Sequence, residues 1–111
     1  MKILLDHCIP RPLRRELPGQ EIKTAREMRW EGLKTGKLLD EAQAAGFDVF
    51  LTVDQNIRYQ QNLQGRAIAV IVMMAHGIAV EDLRPLLPAV EETLAMVQPG
   101  QLHEVRAERT L

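Results

Sequence analysis

The chain has 111 residues, 46% apolar and 26% charged, with a net charge of −1 and one cysteine. This size and balance suit one α/β domain over residues 1–111 and exclude a disordered chain, a coiled coil and a disulfide scaffold. Cys8 has no internal partner, and Asp6 interrupts the opening Ile3-Leu4-Leu5, so no apolar leader is expected. The apolar run Ala67 to Ala75 is too short to cross a bilayer. A cytoplasmic protein with no membrane role is expected.

The first element is a short apolar strand from Lys2 to Leu5. Pro10 and Pro12 then mark a turn or first helical turn, Leu13 and Leu17 share one helix face, and Pro18-Gly19 stops that helix. Glu21 to Thr24 predicts a second strand. Thr24 and Glu27 have capping-box spacing for a helix through Met28 that ends near Trp30 to Gly32.

A further helix starts around Thr35, with Leu38, Leu39, Ala42 and Ala45 at three-and-four spacing and Gly46 as its stop. The β-branched and aromatic run Val49 to Val53 predicts a buried strand, Ile57 to Leu63 a helix, and Ala67 to Met74 a strand covered on both faces. From Val80 to Val97 the leucines and valines keep helical period, with Pro85 and Pro88 in first turns or splitting the segment. Leu102 to Val105 can add an edge strand, and the tail from Arg106 to Leu111 is expected to fray.

Strands alternating with helices imply a central, mostly parallel sheet of four or five strands flanked by helices, with right-handed crossovers. Ligands bind at the carboxyl edge of such a sheet, where the strand order reverses. If the second and third strands lie on opposite sides of the first, Asp6 and Asp54 end the two strands at that point. Paired carboxylates there suit Mg²⁺ or Mn²⁺, and a divalent ion so held activates water and polarises a phosphodiester. Read singly, Asp6 is an Asx-turn residue and Asp54 a helix N-cap.

Leu4-Leu5-Asp6, residues 26–33, Lys34 to Ala42, and Leu51-Thr52-Val53-Asp54-Gln55-Asn56 together resemble a small bacterial PIN-like family. The resemblance runs to about Met74. It implies a three-layer PIN-like fold, an acidic cluster binding Mg²⁺ or Mn²⁺, RNA cleavage, and in many cases a small antitoxin as partner. Asp6 and Asp54 match the family's two strand-end aspartates. The family's opening reads Asp-Glu-Asn, whereas His7 and Cys8 follow Asp6 here, and Thr35-Gly36-Lys37 stands where the family has an acid. Glu31 and Asp40 are the acids nearest that position and complete the candidate metal set.

Residues 11–37 carry eight Lys or Arg against four Asp or Glu, a polarity that reads as a polyanion footprint or as a solvated helix face. Arg11, Arg14, Arg15 and Arg58 flank the expected mouth and suit phosphate oxygens, with Asn56 as a ligand-orienting amide. Thr52 and Gln55 have capping-box spacing, and the Thr52 hydroxyl beside Asp54 can also meet a phosphate. His7, Cys8 and His76 form a transition-metal alternative, opposed by the tendency of neighbouring side chains to point apart in extended chain. Trp30 fits packing over the sheet better than base stacking.

Three functions follow in order. The first is a metal-dependent ribonuclease, as the toxin of a toxin-antitoxin pair. The second is a PIN-like module that lacks catalytic acids and binds an antitoxin, RNA or a second copy of itself. The third is a receiver-like signalling domain, which Met73, Met74 and Ala75 disfavour because they replace the hydroxyl expected after its fourth strand, as does the lack of any Lys after Lys37.

Overall fold

The computed structural model describes residues 1–107; the end of the tail expected to fray lies outside the described residues. Among the described residues the strands β1 (Lys2–Leu5), β2 (Glu21–Thr24), β3 (Val49–Thr52), β4 (Ala69–Met73) and β5 (Leu102–Val105) form one sheet of order β2-β1-β3-β4-β5. Every pairing is parallel. The helices α1 (Thr35–Ala44), α2 (Ile57–Gln60), α3 (Val80–Leu83) and α4 (Leu87–Leu94) flank it, giving the expected three-layer α/β fold. No helix is long and apolar enough to cross a membrane, among the described residues.

The period-two alternation of the strands sorts the core into two layers. Ile3, Leu5, Val49, Leu51, Ala69, Ile71 and Met73 point to one face, where Leu13, Leu17, Leu83, Leu87, Val90 and Leu94 cover them. Leu4, Phe50, Val70 and Val72 point to the other, against Leu38, Leu39, Ala42 and Ile57. Because both faces are covered, β3 and β4 read as continuous apolar runs rather than alternating ones.

The short helix expected after β1 forms over Arg11–Glu16 as a 3₁₀ helix with Pro12 in its first turn. Two helical expectations are corrected. The segment after Thr24 makes one turn only. Its capping box forms in full, with the Thr24 N–H donating to Glu27 Oε1 at 3.0 Å and the Glu27 N–H to Thr24 Oγ1 at 3.1 Å. The chain then closes at once: the Trp30 N–H reaches the Ala25 carbonyl, the Arg29 N–H reaches the Arg26 carbonyl, and Arg29 adopts φ +61°. Those two bonds and a left-handed residue make a Schellman stop on an arginine. The expected helix from Ile57 to Leu63 ends at Gln60.

The expected uniform crossover hand is corrected as well. The connection from β3 to β4 packs through Ile57 and Leu63 on the α1 face, whereas the next, from β4 to β5, moves the same way across the sheet yet packs through α3 and α4 on the opposite face. One of the two must therefore have the rarer left hand. Packing explains this: Val49, Leu51, Ile71 and Met73 need cover that the six-residue 3₁₀ helix cannot supply alone, and α3 with α4 provide it.

Candidate functional site

The chain leaves β1 toward the 3₁₀ face and leaves β3 toward the α1 face, so a crevice opens between their carboxyl ends. Asp6 and Asp54 stand there, as the sequence led us to expect. Asp6 is anchored by its own N–H, which donates to the Leu51 carbonyl of β3 at 2.9 Å. Only 9% of Asp6 is exposed.

Thr52 joins the two aspartates. Its fully buried hydroxyl donates to Asp6 Oδ2 at 2.7 Å and accepts the Asp54 N–H at 3.0 Å. This replaces the capping role that its spacing to Gln55 suggested. Asp54 Oδ1 accepts the Asn56 N–H at 3.0 Å, which makes an Asx-turn into α2. Asn56 is the N-cap residue of α2 and makes no side-chain cap bond.

His7 and Cys8 do not point apart. The chain turns after Asp6, with the Ile9 N–H bonded to the Asp6 carbonyl at 3.0 Å, and this brings both side chains back to the carboxylate. Asp6 Oδ1 receives the His7 N–H at 2.8 Å and lies 2.9 Å from His7 Nδ1. Burial, and then the charge of Asp6, hold the Cys8 thiol above its ordinary value, so it stays a thiol at neutral pH. His76, the other histidine at this edge, is exposed and lines a different cleft with Asp82 and Arg106.

The other candidate acids lie elsewhere. Asp40 Oδ1 is paired with Arg66 at 2.7 Å, and Arg66 stands before β4, at the edge opposite Asp6. Glu31 is exposed in the connection between β2 and α1. Among the described residues no group of three or more His, Cys, Asp or Glu is placed to hold a metal ion. A carboxylate offers roughly four acceptor positions, and the His7 N–H, His7 Nδ1 and the Thr52 hydroxyl take up three of those on Asp6. Asp54 has one oxygen tied into its turn.

The basic candidates divide. Arg14 is joined to Glu27 at 2.5 Å, and Glu27 is held below its ordinary value chiefly by the Thr24 N–H, with Thr24 Oγ1 and Arg14 adding to this. Arg58 bonds to Glu104 at 2.9 Å and lies over the Tyr59 ring, bonding to its hydroxyl as well. Arg15 is exposed on the 3₁₀ helix. Arg11 lines a cleft of about 500 Å³ at the ends of β1 and β2 with Asp6, His7, Thr24, Arg26 and Glu27, and Ile9, Pro10 and Ile78 form its apolar side. Neither Arg11 nor Arg26 has an ion-pair partner among the described residues.

Sequence reading missed Arg26, which it placed on a helix, and Ile78, whose distance along the chain from β1 gave no signal. Trp30 packs edge-on to Phe47 with ring centroids 6.0 Å apart, as expected of a core residue. Comparison with known proteins found no matching family model, no matching curated protein and no matching solved structure.

Proposed function

We propose that the chain is an RNA-binding module of the PIN-like kind, which meets the phosphate backbone at the carboxyl edge of its sheet without a resident divalent ion. The observation that carries this reading is the division of charge at the mouth. Asp6 is satisfied by donors of its own fold, whereas Arg11 and Arg26 face the cleft unpaired among the described residues. An edge whose anions are internally bonded and whose cations are open selects anionic ligands. The basic balance of residues 11–37 supports the same reading.

The test is the anisotropy of a labelled single-stranded RNA titrated with the protein in EDTA over a range of KCl. Binding should weaken with salt by a log–log slope of roughly −0.7 per phosphate contacted, and Arg11→Ala with Arg26→Ala should flatten the slope. Salt-independent binding, or none by folded protein, would refute the reading.

A second reading, a toxin-like ribonuclease using Mg²⁺ or Mn²⁺ and paired with a small antitoxin, is favoured by one observation. Thr52 ties the two aspartates together at the switch point, and Asp54 keeps its second oxygen uncommitted among the described residues. Mn²⁺-dependent cleavage lost in Asp54→Asn would establish it over the first. A tight complex with a small protein and no cleavage would leave the module.

A further inference from the structure

The cleft at the ends of β1 and β2 has Asp6 in its lining and combines basic and apolar residues. Its volume of about 500 Å³ falls within the roughly 300–1,000 Å³ typical of small-ligand sites. Its lining includes Arg11 and Arg26, and Ile9, Pro10 and Ile78 add apolar surface. Ile78 is 54% exposed, so its side chain is open to a ligand in the cleft. Asp6 and Glu27 complete the lining.

We infer that this cleft binds a nucleoside monophosphate group, with the phosphate on Arg11 and Arg26 and the nucleoside against Ile78, Ile9 and Pro10. Two guanidinia with no other ion pair match a dianionic phosphate better than a carboxylate, because each offers a planar fork of donors. The Asp6 and Glu27 carboxylates in the same lining repel a second phosphate inside the cleft, so a longer RNA continues from it along the basic edge rather than through it. The lining therefore accepts one phosphate followed by an apolar body, which is the end of a chain or a free nucleotide. This rests on the RNA reading only in choosing a nucleoside as the phosphate bearer.

The test is equilibrium dialysis in EDTA against labelled AMP, with adenosine, inorganic phosphate, and 5′-phosphorylated and 5′-hydroxyl hexaribonucleotides as competitors. AMP should bind at one saturable site and adenosine much more weakly. Arg11→Ala and Arg26→Ala should each weaken AMP roughly tenfold or more, the loss of a charge-assisted contact. Ile78→Ser should weaken AMP but not inorganic phosphate. Arg66→Ala, at the opposite edge of the sheet where Arg66 pairs with Asp40, should bind like the parent.

The 5′-phosphorylated RNA competing better than AMP assigns the site to an RNA end, and equal competition assigns it to free nucleotide; both uphold the chemistry. Absence of saturable AMP binding by folded parent would overturn the inference, as would arginine variants that bind AMP normally or adenosine binding as well as AMP. Binding of 5′-hydroxyl RNA without AMP binding would overturn it while leaving the RNA-binding reading intact, and AMP binding without RNA binding would do the reverse.

Discussion

Replacing Thr52 with valine tests whether the junction between the aspartates is held by a hydroxyl or merely filled by a side chain. Thr52 is 0% exposed, and valine has nearly its shape and an equal liking for strands. The change removes the bond to the Asp6 carboxylate and leaves the Asp54 N–H without its acceptor. A bond to a charged group contributes about 2 kcal/mol and the amide bond about 1 kcal/mol, while the added buried methyl returns about 0.8 kcal/mol. The net expectation is a loss of about 2 kcal/mol, a large part of a typical domain's stability. Thr52→Ser keeps the hydroxyl and loses the methyl, so it should lose only about 1 kcal/mol. Urea unfolding followed by far-UV circular dichroism reads both, with unchanged slope and lowered midpoint. Burial alone predicts the opposite order. Valine as stable as the parent, or more stable than serine, would refute the hydrogen-bonded junction.

Glu27→Ala should destabilise by about 1 kcal/mol through loss of the return bond of the capping box. Because the folded-state value of Glu27 lies below 4.5, its contribution is present at neutral pH and lost as pH falls through that depressed value; the gap between parent and variant should narrow in acid, and a constant gap would refute this. Arg29→Gly should stabilise by roughly 0.5 kcal/mol, since relief of the left-handed strain at φ +61° outweighs glycine's added unfolded-state freedom; a lowered thermal midpoint would show otherwise. Cys8 should react more slowly with iodoacetamide at pH 8 than a free cysteine does, because burial and Asp6 keep it protonated, and alkylation at the free rate would contradict that placement.

Where local chemistry and tertiary packing agree, the sequence was readable to the residue. β2 and β5 fall on the expected spans, and α1 begins at the expected Thr35 and is followed by Gly46 at φ +85°. The failures have two causes, a partner distant in sequence and a stop with no compositional mark. Thr24 and Glu27 form the capping box that their spacing announces, but the helix does not propagate, because an arginine takes the left-handed position that composition assigns to glycine. Thr52 has the same spacing to Gln55, yet its hydroxyl goes to Asp6, 46 residues away. His7 and Cys8 were expected to point apart as in a strand, but β1 ends at Leu5 and the chain turns. The position of α3 and α4 is set by which sheet face lacks cover, a property of the assembled layers that no single segment carries.

The pair of aspartates was legible because topology alone puts strand ends at a switch point, but their chemistry was not, because it depends on what faces them. Two carboxylates at one crevice must be neutralised by a cation or met by donors. Here Thr52, His7 and the Asn56 N–H meet them, and Arg11 and Arg26 line the adjoining cleft without an ion pair among the described residues. Arg14 shows the contrast within the same 3₁₀ helix: it is tied to Glu27, while Arg11, three residues earlier, lines the cleft unpaired among the described residues. His7 enters the same balance, since its N–H gives Asp6 a donor. Asp6, held by the Leu51 carbonyl through its own N–H and bonded to the Ile9 N–H through its carbonyl, is the fixed point of the turn that leads into the 3₁₀ helix and so sets where Arg11 starts; on the proposed reading that turn is what presents Arg11 to an anion.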